Sequence, residues 1–180
     1  MRITDLDFIL IPEWLAGPTA AQPDDDHWIS RWERNLSTAR WLDGSSGEAG
    51  VRLINQIDNG TSRPVMIVTH GGGVDALLAA REGLGGRAVA GAFIVAPTPD
   101  LARTDMTDPK RLRLPCPSVL IASDDHPQFG PSDAEALAGA LGSFFVPAGP
   151  AGRLDSSSGQ GPWPEGLLRL GWFLKRLTKH

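Results

Sequence analysis

The chain has 180 residues, 17 lysines and arginines against 21 aspartates and glutamates, and a net charge of −4. That length fits one domain whose core needs no disulfide or metal staple, and the mild acidity argues against nucleic acid, whose binders carry a basic patch or stripe. No apolar run approaches a membrane span, so neither nucleic acid nor membrane is an expected partner. The lone Cys116 has no internal disulfide partner, and no Cys/His cluster has zinc-ligand spacing, so no metal or cofactor is expected. Asp5 and Asp7 break up the apolar start of the chain, which does not read as a signal peptide, and the expected location is cytoplasmic.

In chain order, Phe8–Ile11 is a short apolar run stopped by Pro12. Asp24–Leu36 places Trp28 and Trp32 four apart, on one face of a helix. Val65–Val68 is a second apolar run, followed by Thr69, His70 and three glycines, after which Val74–Arg81 has a helical pattern. Ala92–Ala96 and Val119–Ala122 are two more runs, and Phe144–Val146 is a weaker fifth. Between the last two, Ser132–Leu141 reads as a helix with Ser132 and Glu135 as a capping box. Leu167, Leu168, Leu170, Trp172, Phe173, Leu174 and Leu177 recur at helical spacing near the end, where Lys175, Arg176, Lys179 and His180 suit a helix C-terminus.

Continuous apolar runs imply strands buried on both faces, and strand–helix alternation implies a mostly parallel sheet flanked by helices, an α/β fold. In such sheets ligands bind beyond the carboxyl ends of the strands. That directs attention to Pro12–Pro18, Thr69–Gly73, Pro97–Asp105, Ser123–Pro131 and the Gly/Ser-rich Gly149–Gly161.

The strand–turn–helix around Thr69-His70-Gly71-Gly72-Gly73 resembles a nucleophile elbow, normally G-x-S-x-G. His27-Trp28 with Trp32-Glu33, Gly91–Pro97, and Ser158-Gly159-Gln160-Gly161-Pro162-Trp163-Pro164-Glu165-Gly166 agree in order. Together they resemble the small serine-hydrolase family of α/β-hydrolases (retinoblastoma-binding protein 9-like), across nearly the whole chain. The resemblance implies one α/β-hydrolase-like domain over residues 1–180 and a Ser, Asp, His triad in that order. It assigns the nucleophile to Gly71, the acid to His126 within Ser123-Asp124-Asp125-His126-Pro127, and the base to Arg153. Asp125, one residue from His126, is the alternative acid. Where the family has Pro-Gly-Trp in its first loop, this chain has Pro12-Glu13-Trp14.

Acyl transfer needs a nucleophile, a base for its proton and a carboxylate to orient that base. Glycine has no attacking atom, arginine stays protonated, and a neutral imidazole brings no negative charge. Losing a catalytic serine costs on the order of a millionfold in turnover, roughly 8 kcal/mol of barrier. The resemblance therefore implies a hydrolase scaffold with a degenerate triad, a pseudoenzyme kept for binding a small ligand or a protein partner.

Two other classes stay open: an esterase using displaced residues (Asp124 or Asp125 with His126 and a serine among Ser123, Ser156, Ser157 and Ser158), and a purely structural or interaction subunit. The expected ligand pocket comprises Glu13, Trp14, His70, Gly71, Gly72, Asp125, His126 and Arg153. Within it, Arg153 and the amides of Gly71–Gly73 suggest an anion site, against the blander alternative that Arg153 pairs with Asp124, Asp125 or Asp155, or simply faces water. Glu13 opposes a developing oxyanion and competes for Arg153. His70 reads as structural, Asp75 as suited to a helix dipole, the six tryptophans as core or pocket walls, and His27 and His180 as surface or capping residues.

Overall fold

A computed structural model describes residues 1–16, 24–44, 47–100 and 109–178. Six strands, β1 (Asp7–Ile11), β2 (Ala39–Trp41), β3 (Val65–His70), β4 (Val89–Val95), β5 (Ser118–Ala122) and β6 (Phe144–Pro147), form one sheet in the order β2-β1-β3-β4-β5-β6. Every neighbouring pair is parallel. Central β3 is buried along its whole length, as its apolar run requires, because helices cover both faces. The five expected strands are all present. β2 is the addition, a three-residue edge strand whose Ala39 pairs with Phe8.

On one face, α3 (Ala49–Asp58), α4 (Val74–Ala80) and α6 (Pro131–Leu141) pack onto Ile9, Ile67, Ile94 and Leu120. On the other, α2 (Trp28–Asn35) and α7 (Pro164–Leu177) cover Phe8, Met66, Val68, Phe93 and Val119. The odd and even positions of the strands thus feed separate cores, the period-two consequence of the pleat. Two further single turns, α1 (Glu13–Ala16) and α5 (Pro109–Leu112), follow β1 and precede β5.

Several expectations need correcting. α6 starts one residue earlier than the sequence suggests, with Pro131 at its first positions and Gly130 as N-cap, so Ser132 and Glu135 form no capping box. Proline's fixed φ and missing N–H suit that start. Trp28, Trp32 and Trp163 are core residues, but Trp172 is 41% exposed on α7, beside Phe144 and under the Arg176 guanidinium. Leu168 is exposed as well. His27 does cap α2, its Nδ1 accepting from the Ile29 N–H, but it is buried rather than on the surface. Lys175 and Arg176 lie in the last turn of α7; Lys179 and His180, and parts of the loops after Pro12 and Pro97, fall outside the described residues. Among the described residues no helix is long and apolar enough to cross a membrane.

Candidate active site

β3 ends at His70, and the chain turns through a 3-10 turn, Gly71–Gly73, into α4. Two of these glycines are dictated by geometry. Gly71 has φ +57, a left-handed conformation that side chains rarely adopt. At Gly73 a Cβ would collide with the backbone carbonyl of Ile11, so β1 and the turn approach as closely as they do only because that side chain is missing. The glycines form a tight turn: the Val74 N–H bonds the carbonyls of Gly71 and Gly72, and the Gly71 carbonyl accepts from the Thr98 N–H at 3.2 Å.

α1 brings Glu13 over this turn. Its Oε2 lies 2.7 Å from the point a Cβ on residue 71 would occupy, and its Cγ 3.5 Å from that point on Gly72. The carboxylate accepts from Arg153 Nη2 at 3.2 Å. Arg153 also donates through Nη1 to Gln128 Oε1 at 2.8 Å and pairs through Nε with Asp155 at 3.3 Å. Each nitrogen of the guanidinium therefore has an acceptor, and two of those acceptors are carboxylates. Glu13 and Arg153 are about half and one-third exposed, so water screens the pair.

The loop carrying Arg153 is ordered by its own side chains. Asp155 Oδ1 accepts from Ser157 Oγ, the Ser158 N–H and Ser158 Oγ, and Ser158 Oγ accepts from the Arg153 N–H. Burial pushes the Asp155 carboxyl up, but the hydrogen bonds from Ser157 and Ser158 outweigh it and leave the group below its usual range. Leu154, fully buried with φ 52, anchors the loop, and its carbonyl accepts from Trp28 Nε1 at 2.8 Å. Ser156 Oγ bonds Asp24, tying the loop to the approach to α2.

After β5, Ser123 acts as a hub. Its Oγ donates to Asp125 Oδ1 at 2.6 Å and accepts from the Ala151 N–H at 2.9 Å. Asp125 Oδ1 also accepts from the Gly152 N–H at 2.8 Å; the Ser123 bond, then the Gly152 bond, hold its carboxyl below the ordinary range. Asp125 thus grips the residue before Arg153. His126 serves the neighbouring backbone instead. Its Nδ1 accepts from the Gln128 and Phe129 N–H groups, both at 3.1 Å, capping the turn that leads to α6. Burial, then the Arg153 charge, lower its pKa.

Beneath this charged rim lies an aromatic floor. His70 Nε2 bonds the Arg153 carbonyl at 3.0 Å, and its ring stands at 70° to that of His27, centroids 4.5 Å apart. Trp14 and Trp28 pack against His27 at 5.5 and 5.4 Å. Burial drives the His27 imidazole down to about 3 and that of His70 below its usual value, so both rings are neutral at physiological pH.

The expected pocket residues Glu13, Trp14, His70, Gly71, Gly72, Asp125, His126 and Arg153 line one region at the carboxyl ends of β1, β3 and β5. Gln128 and His27 join them. The sequence offers no signal for Gln128, while His27 stands in the His-Trp pair that contributes to the family resemblance. Arg153 meets Asp155, as the blander alternative expects, and Glu13 as well. Among the described residues no histidine nitrogen bonds a serine hydroxyl, and no group of three or more His, Cys, Asp or Glu side chains is placed to hold a metal ion.

Parallel β-strands flanked by helices, with the site gathered at a glycine turn after the central strand, define an α/β-hydrolase fold. The serine hydrolase family profile matches residues 15–172, and the chain belongs to that family. It is similar in structure to a YdeN-like hydrolase candidate of Pectobacterium atrosepticum, with 25% identity, TM-score 0.79, and 97% of this chain and 94% of that one covered. The ydeN gene product of B. subtilis shares the fold at 15% identity and TM-score 0.67, covering 94% of this chain and 98% of its own. An esterase domain from Rhodothermus marinus shares it at 15% identity and TM-score 0.63, covering 91% and 84%. Among curated proteins none matches.

Proposed function

We propose that this chain is a serine hydrolase family member that cleaves no ester by the family's route and works by binding. The observation that carries this reading is the carboxylate of Glu13, 2.7 Å from the point where a side chain at residue 71 would begin. A serine hydroxyl there would contend with that carboxylate, and Arg153, pinned by Glu13, Asp155 and Gln128, has no lone pair with which to take a proton. A negative charge in the same place opposes an oxyanion.

The displaced-triad alternative finds little support in the hydrogen bonds. Ser123, Ser156, Ser157 and Ser158 all engage aspartates rather than an imidazole, and His126 Nδ1 is occupied by two backbone N–H groups. The anion-site reading survives in one form. Because the Glu13 carboxylate already fills the space between Arg153 and the glycine turn, a ligand carboxylate would have to take its place there.

Turnover of short-chain nitrophenyl esters by highly purified protein tests the proposal. The expected rate is that of buffer alone, unchanged by Ser123→Ala and Ser158→Ala. A saturable rate that either substitution removes would overturn it.

A further inference from the structure

We propose that His27 and His70 together bind a single hydroxyl group, supplied by a water molecule or by a small neutral alcohol. The outer partners of the two rings fix their tautomers. The Ile29 N–H donates to His27 Nδ1, so in the neutral ring the proton resides on Nε2. The Arg153 carbonyl can only accept, so His70 carries its proton on Nε2 and presents a lone pair at Nδ1. The two remaining nitrogens are therefore complementary, a donor on His27 and an acceptor on His70. Both are buried, neither has a hydrogen-bond partner among the described residues, and they do not bond each other although the ring centroids are 4.5 Å apart. Buried polar atoms in folded proteins are nearly always partnered, so two orphans of opposite character in adjacent rings mark a site for a bridging group.

The chemistry of that group follows from the pair. It must accept from His27 and donate to His70, which a hydroxyl oxygen does through one atom. A carboxylate or phosphate oxygen has no proton for His70, an ammonium has no lone pair for His27, and a metal ion would find one ligand and one N–H. Trp14 Nε1, a third buried N–H without a partner among the described residues, belongs to a ring 5.5 Å from His27 and suits the oxygen's second lone pair. The neutral state of both imidazoles, enforced by burial against the opposing charges of Asp24, Asp155 and Glu13, keeps these tautomers in place. Because His70 directly precedes Gly71, the bridging oxygen sits below the Glu13–Arg153 rim, and its presence does not depend on whether the protein hydrolyses esters.

Proton–nitrogen correlation spectra of the isotope-labelled full chain at neutral pH test the site without any substitution. Both rings are expected to be neutral with the proton on Nε2, and the His27 ring proton is expected to exchange slowly and to show a through-space contact to a hydroxyl source. A contact to water alone identifies a buried water; one that grows to the methylene protons of added ethanol or glycerol identifies an alcohol. A His27 ring protonated on Nδ1, or a ring proton in contact with neither source, would overturn the proposal.

Discussion

At the rim of the candidate site, Arg153 meets Glu13, Asp155 and Gln128, every guanidinium nitrogen paired and the group one-third exposed; on the floor, His27 and His70 lie buried and uncharged, with inner nitrogens that have no partner among the described residues. The two regions share one backbone connection, because the carbonyl of Arg153 is the acceptor for His70. Charge is tolerated where water can screen it, whereas under the rim burial selects neutral rings. The rim is consequently adjustable at small cost and the floor is not.

Breaking the floor has the largest expected effect. Trp28 is fully buried and holds the Leu154 carbonyl, so Trp28→Ala is expected to lower unfolding stability by about 3–5 kcal/mol, measured by urea denaturation. The floor also sets a pH dependence. His27 titrates at about 3 when folded, well below its ordinary value, so the unfolded chain binds the proton that the folded chain refuses. Stability is expected to fall as pH drops below about 6.5, with a slope from this group of up to about 1.4 kcal/mol per unit, and His70 acts in the same direction. Asp24 and Asp155, held below their usual range, add losses at lower pH. His27→Gln is expected to flatten the slope above pH 5; an unchanged slope would contradict the role assigned to His27.

Between floor and rim stands Gly71. Gly71→Ser places a side chain at φ +57 and against Glu13, and is expected to destabilise by about 1–3 kcal/mol while conferring no ester turnover. The rim gives the smallest effect. Glu13→Gln removes a half-exposed ion pair worth about 1 kcal/mol or less, yet it leaves Arg153 with one carboxylate instead of two, so binding of acetate, followed by calorimetry at low salt, is expected to strengthen. Equal acetate binding by the two proteins would remove the anion-site form of the proposal.

Strands buried on both faces were legible because their apolar runs are continuous: β1, β3, β4 and β5 all contain one. β2 escaped notice because an edge strand of Ala39, Arg40 and Trp41 needs no apolar run, only a neighbour's backbone. α3 was hidden similarly, with Arg52, Asn55 and Gln56 interleaved among its apolar positions; buried Arg52 reaches the carbonyls of Asp43 and Leu15. In the site, Glu13 and Arg153 announced themselves by breaking the family pattern. Gln128 did not, since it reaches Arg153 only through the fold. His27 looked like a surface cap because a cap's exposure depends on what packs above it, here Trp14 and His70.

Intact-mass measurement after incubation with a fluorophosphonate probe most directly tests whether the folded chain lacks an activated serine nucleophile, as a glycine at position 71 under the Glu13 carboxylate implies. The expected result is the unmodified mass for the native chain, as for the heat-denatured control. A stoichiometric adduct on any serine of the folded protein would refute the proposal that this chain works by binding rather than by serine-based ester cleavage.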